Sequence, residues 1–292
     1  MDGDIFMKML EQFKENQKHI KVEGLSHSPL DVAYTDMGEG EAVILLHGIP
    51  AWSYLWNEVI PPLAENCRVI APDLLGYGYS DKRDTFDRSV SVQASMIVKL
   101  MDSLGIDKAT VVGHDIGGAV AQVMSVNYAN RLNGLILANT VAYESWPSTA
   151  MISLSEPKRH KQTVKEVIDF VSTDLLVGLG NMERKDKFVP DMITPYNNEE
   201  GKKSFIRNAS ALNTNHTMEL VNEFKNVNVP TLVLWGVDDP WQPLEDGERL
   251  AQDIPGAKLI RIEGASHWIQ YDVPEVVAKH ISDFSETVSM KA

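Results

Sequence analysis

The segment Gly113-His114-Asp115-Ile116-Gly117-Gly118 constrains this chain more than any other, because apolar runs flank it on both sides. Residues 109–112 before it are typical of a buried strand, and residues 119–124 after it carry a helical pattern. Glycine has no Cβ, so Gly113 and Gly117 permit a turn tight enough to hold one side chain above the edge of a sheet. The sequence therefore predicts a strand–turn–helix unit, a nucleophile elbow, that presents Asp115.

The residue at the apex of this turn determines the chemistry that the turn can perform. An aspartate with an ordinary pKa of about 4 is ionised at neutral pH without help from a base. Its carboxylate can displace a leaving group from saturated carbon and form an ester with the enzyme. A hydroxyl nucleophile would need a base and would suit carbonyl carbon, so Asp115 favours an ester-forming attack on saturated carbon.

Composition limits the partners that the chain can have. The formal net charge of −14 over 292 residues argues against nucleic acid and against anionic membranes, and it leaves a small, largely apolar organic substrate and water as the expected partners. We see no apolar run of about 18 residues and no secretory signal, so we expect a cytoplasmic protein without a membrane-spanning helix. The single cysteine, Cys67, is expected to be a buried thiol. No metal or cofactor is expected, and the sequence does not predict an oligomeric state.

Apolar, strand-like segments alternate with helical patterns along most of the chain. The strand-like segments are residues 30–35, 42–46, 67–71, 109–112, 135–138, 231–235 and 258–262. Helical patterns include residues 92–104 and 245–253. This alternation predicts an α/β fold, with a mostly parallel sheet flanked by helices on both faces. Glycines at 38 and 40 predict a hairpin turn after the first of these segments.

The alternation stops between residues 141 and 227, where no strong strand pattern occurs. Helical pieces such as residues 162–176 are separated by charged stretches, which are typical of solvated helix faces. We therefore predict a core formed by residues 1–140 and 228–292, and a helical cap formed by residues 141–227 over the carboxyl ends of the strands.

A first short segment follows a predicted strand at the place where the elbow needs further groups. His47-Gly48-Ile49-Pro50 follows the strand at 42–46. The backbone N–H groups of Ile49 and Ile116 could both point at an oxygen held near Asp115, and two such donors form an oxyanion hole.

A carboxylate and a histidine complete the candidate site. Asp238 and Asp239 both follow the strand at 231–235, and the spacing from Gly236 to Pro243 favours Asp239. His267 lies in a glycine-containing loop after the last strand. The resulting chain order of nucleophile, acid and histidine is the one expected for an elbow of this kind, and a hydrolase with an Asp-His-Asp triad is the prediction.

On these residues the chain resembles the aspartate-nucleophile branch of the α/β-hydrolases, which includes haloalkane dehalogenases, epoxide hydrolases and haloacetate dehalogenases. Residues 47–56 are similar to an HGxPxxSYLW stretch of haloalkane dehalogenases, and residues 73–82 are similar to a DLxGYGxSDK segment of the branch. The likeness covers the chain apart from its variable cap. It implies the α/β-hydrolase fold with a helical cap.

The resemblance also implies a mechanism in two stages. Asp115 would attack saturated carbon and become an alkyl ester. His267 would then deprotonate a water that attacks the Asp115 carboxyl carbon, while Asp239 holds the imidazole. Asn139 stands where one dehalogenase subgroup carries its acid, which leaves Asp239 in that role.

The chain departs from the dehalogenase pattern at the residues that bind the leaving halide. That pattern has a tryptophan after the nucleophile and an asparagine in the first motif, where this chain has Ile116 and Ile49. Burying an unpaired halide is costly, so other donors are needed. The candidate pocket residues are Trp52, Tyr143, Trp146, Tyr196 and Trp268, with Trp241 as a further candidate donor.

Several functions remain open on this reading. Hydrolysis of carbon–halogen bonds, as in haloalkane dehalogenases, is favoured by the 47–56 stretch. Epoxide hydrolysis is the alternative, because Tyr143 or Tyr196 of the cap, or His160 or His216, could protonate an alkoxide. An ester or lactone hydrolase, in which Asp115 acts as a base on water, ranks lower, as does a non-hydrolytic receptor built on the same fold.

Overall fold

The computed structural model describes residues 3–290, and its central feature is one eight-stranded sheet. The strands are β1 (Lys18–Val22), β2 (Leu30–Met37), β3 (Ala42–Leu46), β4 (Arg68–Pro72), β5 (Ala109–Asp115), β6 (Leu132–Thr140), β7 (Thr231–Gly236) and β8 (Lys258–Ile262). Their order across the sheet is β1-β2-β4-β3-β5-β6-β7-β8. Strands β3 to β8 pair in parallel, whereas β1 and β2 are antiparallel to their neighbours. The predicted mostly parallel sheet is confirmed.

The predicted hairpin after the first strand-like segment is wrong. Strand β2 pairs with β1 and β4, and β3 lies beyond β4. The turn instead packs against the segment of the same chain that precedes β4. A Cβ on Gly38 would lie only 2.2 Å from the carbonyl oxygen of Cys67 in that segment. Strand β1 was not predicted, since it is an exposed, lysine-containing edge strand in which only Val22 is buried.

Helices cover both faces of the sheet. They are α1 (Gly3–Asn16), α2 (Ile60–Leu63), α3 (Val90–Ser103), α4 (Ile116–Asn127), α5 (Thr149–Leu154), α6 (Val164–Val177), α7 (Lys185–Ile193), α8 (Glu199–Ser210), α9 (Asn215–Met218), α10 (Leu244–Asp253), α11 (Ile269–Asp272) and α12 (Pro274–Ser289). Along β3, Ile44 and Leu46 join the core that includes α3 and α4, while Val43 and Leu45 join the core that includes α2 and α12. This alternation follows from the two-residue period of a strand, and it explains why β3 is apolar throughout.

The strand order places a crevice between β3 and β5. From β3 the chain continues to β4 on one side of the sheet, whereas β5 and the strands after it extend the sheet on the other side. The loops that leave the carboxyl ends of β3 and β5 therefore diverge, and open α/β sheets bind ligands at such switch points. Ile49 and Asp115 lie at these two strand ends.

Residues 141–227 contain helices α5 to α9 and no strand. Helix α6 starts at a capping box, in which Thr163 Oγ1 accepts the N–H of Glu166 and the Glu166 carboxylate accepts the N–H of Thr163. The division into a core of residues 1–140 and 228–292 and a cap of residues 141–227 remains our proposal, and its residues 1, 2, 291 and 292 lie outside the described range. Across residues 3–290, no helix has the length and apolar character needed to cross a membrane.

Candidate active site

Asp115 ends β5, and the next residue already begins α4. Its φ of 53° and ψ of −122° are backbone angles that non-glycine residues rarely adopt, as expected for a side chain held on a strained turn. A Cβ on Gly113 would lie 2.3 Å from the carbonyl oxygen of Gly117, and a Cβ on Gly117 would lie 2.6 Å from that of His47. The two glycines are therefore required by close backbone approach.

The two carboxylate oxygens of Asp115 have different surroundings. Oδ1 accepts the backbone N–H of Ile49 at 2.8 Å, and the backbone N–H of Ile116 also binds this carboxylate. Oδ2 lies 3.9 Å from Nε2 of His267, which is too far for a hydrogen bond. Oδ1 is thus held by the N–H of Ile49, one of the two groups of the predicted oxyanion hole, and Oδ2 lies on the side of the histidine.

His267 and Asp239 form the second part of the site. Nδ1 of His267 is 2.8 Å from Oδ2 of Asp239, and both side chains are 1% exposed. Oδ1 of Asp239 accepts the backbone N–H groups of Trp241 and Gln242 at 2.8 and 2.9 Å. Nε2 of His267 is buried and has no hydrogen-bond partner within residues 3–290, which leaves it able to act on a water or a substrate beside Asp115.

The surroundings shift the pKa values of all three groups. Burial raises the pKa of Asp115 to about 6, against the opposing charge of His267 and the backbone N–H groups. Burial would raise the pKa of Asp239, yet the charge and hydrogen bond of His267 hold it below the ordinary value. Burial would lower the pKa of His267, but the Asp239 carboxylate raises it above the ordinary value, with Asp115 adding to the effect. The histidine is therefore a stronger base than a free imidazole.

Neighbouring backbone groups fix the loop that carries His267. The N–H of His267 donates to the carbonyl oxygen of Gly178, at the end of α6, over 3.1 Å. His114 Nε2 is 2.9 Å from the carbonyl oxygen of His267, and burial lowers the pKa of His114 well below its ordinary value. A neutral His114 that donates this hydrogen bond holds the loop from the core side, as Gly178 does from the cap side.

A small cavity of about 30 Å³ adjoins these groups, which is enough room for water. Its lining includes Asp115 and His267, and the predicted residues Ile49, Ile116 and Trp146 also contribute. Its remaining residues are Pro50, Val141, Pro147, Ser148, Met151, Asp174, Leu212, Trp241 and Gln242.

Two of the predicted pocket tryptophans, Trp52 and Trp268, lie outside this lining, and each uses its indole N–H elsewhere. Trp52 donates to the carbonyl oxygen of Asp191 at 2.8 Å, and Trp268 donates to that of Leu175 at 3.0 Å. Trp268 packs edge-on against the imidazole of His267, with 4.5 Å between the ring centroids. It therefore supports the histidine from behind and does not face the cavity.

The two predicted pocket tyrosines also lie outside the lining. Tyr143 donates its hydroxyl to Asp253 at 2.8 Å. The Tyr196 hydroxyl donates to the carbonyl oxygen of Ala51 at 2.9 Å and accepts the N–H of Gly78 at 3.2 Å. Neither phenol is free to protonate a bound substrate, because each hydroxyl forms a hydrogen bond to another segment of the fold.

Sequence reasoning did not select three residues of the site. Asp174 and Gln242 line the cavity, and Asn139 donates to Oδ2 of Asp239 at 2.6 Å. Asn139 lies at the carboxyl end of β6 and Gln242 follows β7, and a position at a strand end of the parallel sheet was a usable signal. Asp174 lies within the helical pattern of α6, where nothing distinguishes it from a solvated carboxylate. In the described part of the chain, no group of three or more His, Cys, Asp or Glu side chains is arranged to hold a metal ion.

Comparison with known proteins places the whole arrangement in a family. A family model described as the alpha/beta hydrolase fold matches residues 41–274. Haloalkane dehalogenase 2 of Mycobacterium tuberculosis is 28% identical over 267 residues, which cover 86% of this chain and 90% of that protein. Epoxide hydrolase 1 of Caenorhabditis elegans is 27% identical over 279 residues, covering 87% and 67% of the two chains.

A third relative is named for a different activity. The 2-hydroxy-6-oxo-6-phenylhexa-2,4-dienoate hydrolase of Burkholderia cepacia is 29% identical over 279 residues, covering 91% of this chain and 94% of that protein. The resemblance to haloalkane dehalogenases and epoxide hydrolases is confirmed, and carbon–carbon bond hydrolysis also occurs among the relatives. The matched model spans most of the chain, including both strand ends that frame the crevice. This chain therefore belongs to the alpha/beta hydrolase fold family and is a hydrolase.

Proposed function

We propose that this hydrolase attacks saturated carbon with Asp115 and passes through an alkyl-enzyme ester, and that carbon–halogen bonds are its main target. The observation that carries the proposal is the division of labour between the oxygens of Asp115. Oδ1 accepts the backbone N–H of Ile49, so Oδ2, which lies on the side of His267, is left as the attacking atom.

The same division argues against an ester or lactone hydrolase. In such an enzyme the oxyanion hole must receive the carbonyl oxygen of the substrate. Here the nucleophile's own oxygen accepts the Ile49 N–H at 2.8 Å, so a substrate carbonyl would have to displace it. In an alkyl-enzyme ester, by contrast, Oδ1 becomes the carbonyl oxygen that gains negative charge when water attacks. The N–H groups are then already in place for the second stage.

Each group of the site has a role in the two stages. In the first, Oδ2 of Asp115 bonds to carbon and the halide leaves with the electron pair of the broken bond. In the second, Nε2 of His267 removes a proton from water, and the resulting hydroxide adds to Cγ of Asp115. The Asp239 carboxylate, 2.8 Å from Nδ1, stabilises the imidazolium that forms. Collapse of the adduct releases the alcohol and restores the carboxylate.

The leaving halide needs hydrogen-bond donors within the cavity, and two lining residues carry side-chain N–H groups that can act as such donors. The indole N–H of Trp241 and the side-chain amide of Gln242 belong to lining residues, and neither N–H group donates to any residue within 3–290. Trp146 also lines the cavity, but its indole N–H donates to Thr217 at 2.8 Å. Trp241 and Gln242 therefore replace the donors that Ile49 and Ile116 do not provide. The relationship to haloalkane dehalogenase 2 supports this assignment.

A trapping experiment tests the proposal. The His267→Gln variant should be alkylated by 1-bromopropane and then stall, because the base for the second stage is missing. Intact-protein mass spectrometry should show one propyl adduct, located on the peptide that contains Asp115. His27→Gln, at an exposed histidine, is the matched control and should turn the substrate over without accumulating an adduct.

Single turnover in ¹⁸O-labelled water gives a second measurement. The ester route places solvent oxygen in Asp115 and releases a first alcohol without label, because that alcohol carries an oxygen from the enzyme. An alcohol labelled in the first turnover, together with no adduct in His267→Gln, would mean that water attacks the substrate directly and would refute the proposal.

A further inference from the structure

Asp272 is a buried carboxylate that the two-stage mechanism does not use. It ends α11, shortly after His267 in the chain, and it is 6% exposed. A charged group is costly to bury unless it is hydrogen-bonded or paired with an opposite charge. Within residues 3–290, the carboxylate is bound by backbone N–H groups, and no lysine or arginine pairs with it. The positions of those N–H groups therefore show which segments Asp272 holds together.

The Asp272 carboxylate joins a segment of the cap to the loop that carries His267. Oδ1 accepts the backbone N–H groups of Gly180 and Asn181 at 3.0 and 2.9 Å. Oδ2 accepts the backbone N–H of Ser266, the residue directly before the histidine, at 3.0 Å. Hydrogen bonds to an ionised acceptor are about twice as strong as those between neutral groups. The backbone that follows α6 and the backbone that precedes the histidine are thus fastened to one charged group.

Two further hydrogen bonds hold the same loop against the cap. The N–H of His267 donates to the carbonyl oxygen of Gly178 at 3.1 Å, and the indole N–H of Trp268 donates to that of Leu175 at 3.0 Å. In each case the cap contributes a backbone group, as it does to Asp272. The connection therefore depends on the path of the cap backbone, and Asp272 is a side chain of it that can be replaced without changing the cap.

The nucleophile is held by other segments of the chain. The backbone N–H groups that bind the Asp115 carboxylate belong to Ile49 and Ile116. The hydrogen bonds of Asp272 reach neither of these residues; they go to residues 180, 181 and 266. Ester formation needs the nucleophile, whereas ester hydrolysis also needs the base. A change at Asp272 should therefore affect the second stage more than the first.

We propose that Asp272 is a positioning residue for His267 and that it serves hydrolysis of the alkyl-enzyme ester. The inference rests on the proposed ester mechanism. Nε2 of His267 must take a proton from a water molecule that attacks Cγ of Asp115, so the position of the loop determines where that water is held. A displacement of about 1 Å, caused by a change far from the reacting atoms, can lower a rate on the order of 100-fold.

Asp272→Asn separates the two stages. The amide keeps the size of the side chain, but its NH₂ group would face N–H donors where the carboxylate has an oxygen. Rapid-quench mass spectrometry with 1-bromopropane at pH 8 measures the rates of ester formation and ester hydrolysis on Asp115. The ratio of formation to hydrolysis should rise at least about tenfold, a conservative fraction of the loss that a misplaced group can cause, so the propyl ester should accumulate. Glu275→Gln, at an exposed carboxylate nearby, is the matched control and should leave the ratio within about twofold, as expected for a solvated charge.

Gly180→Ala disturbs the same contact and keeps the charge of Asp272. A Cβ on Gly180 would lie 2.7 Å from Oδ2 of Asp272 and 3.0 Å from the backbone nitrogen of Ser266, so the added methyl group would force these groups apart. The ratio of ester formation to ester hydrolysis should rise in this variant as well. If Asp272→Asn does not fold, Gly180→Ala decides the question alone.

The outcomes are distinguishable. Absence of a propyl adduct in His267→Gln would refute the ester mechanism itself. An adduct in His267→Gln together with an unchanged ratio in Asp272→Asn, or equal slowing of both stages, would refute the role of Asp272 alone. A higher ratio in Asp272→Asn with an unchanged ratio in Gly180→Ala would mean that the charge of Asp272 acts directly on His267, and this would also overturn the proposal.

Discussion

At the scale of single residues, the chemistry of the site depends on the different surroundings of the two carboxylate oxygens of Asp115. Oδ1 of Asp115 accepts the backbone N–H of Ile49 and Oδ2 lies 3.9 Å from Nε2 of His267, so the two oxygens of the carboxylate are not equivalent. The backbone around it is strained, and the glycines on either side are forced by contacts below 3 Å. The strained backbone thus fixes the direction in which the Asp115 carboxylate faces. Strain of this kind costs conformational energy and is common at functional residues.

Trp241→Phe tests how the leaving group is stabilised. The change removes the indole N–H and keeps an aromatic ring. We expect chloride release from a chloroalkane to fall about tenfold or more, and bromide release to fall less, because bromide is the better leaving group. Rates of halide release from matched chloro- and bromoalkanes measure this. Trp146→Phe is the control, since that indole N–H donates to Thr217. An unchanged chloride-to-bromide ratio in Trp241→Phe would remove Trp241 from halide binding.

The pH dependence of ester formation follows from the surroundings of Asp115. Burial raises the pKa of its carboxyl to about 6, and the group must be ionised to attack. The single-turnover rate with a bromoalkane should therefore fall tenfold for each unit below about pH 6 and level off above it. In His267→Gln the fall in rate should begin at a higher pH, because the charge of His267 lowers the pKa of Asp115 in the native protein. A rate that is flat down to pH 4 would contradict the assignment.

At the scale of secondary-structure elements, α6 connects the cap to the reacting groups. It carries Asp174 into the cavity, and Gly178 directly after it accepts the backbone N–H of His267. A Cβ on Gly178 would lie 2.3 Å from the ring of Trp241 and 3.0 Å from Cβ of His267. Both the aromatic donor and the base are therefore positioned by the end of one helix.

Gly178→Ala should harm activity more than stability. The added methyl group would displace Trp241 and the His267 loop, so we expect kcat to fall at least about tenfold while the melting temperature changes by only a few degrees. Steady-state kinetics and thermal melts together measure this. Thr173→Ala, at an exposed position of the same helix, is the control. Loss of folding without a separate loss of activity per folded molecule would show that Gly178 is only structural.

The elements also show what the sequence could predict. Strand ends and tight turns are local, so Asp115, Asp239 and His267 could be located from a few consecutive residues each. Cavity walls are not local: Tyr143 binds Asp253, 110 positions away, and this contact takes it out of the lining. Asp174 could not be selected because the same helix carries an exposed carboxylate, Asp169, in an equally polar pattern. The hairpin prediction was wrong because pairing of β2 with β4 depends on the whole sheet.

At the scale of the whole molecule, the buried carboxylate of Asp115 should reduce the stability of the fold. Its pKa of about 6 in the folded protein exceeds the ordinary value of about 4, so the native state binds this proton more tightly than the unfolded chain. The ionised group is therefore destabilising as the pH rises from about 4 to 6, by about 3 kcal/mol when fully ionised. Above about pH 6 the cost is constant.

Asp115→Asn removes this cost and keeps the shape of the side chain. We expect its melting temperature to exceed that of the native protein by several degrees at pH 8 and by little at pH 4. Thermal melts of both proteins across this range measure the difference. Asp169→Asn is the control for loss of one negative charge at the surface. A difference between Asp115→Asn and native protein that does not grow with pH would contradict the linkage.

The cap helices occupy one uninterrupted stretch of the chain, and this affects how the protein can evolve. Helices α5 to α9 all lie in the single connection between β6 and β7, whereas the nucleophile, both oxyanion N–H groups, the acid and the histidine lie outside it. One exchange of a contiguous gene segment between related hydrolases would therefore replace Asp174 and leave Asp115 and its partners untouched. The part of the cavity wall that the cap supplies and the residues around Asp115 can therefore change independently, so a single recombination can alter what the cavity admits.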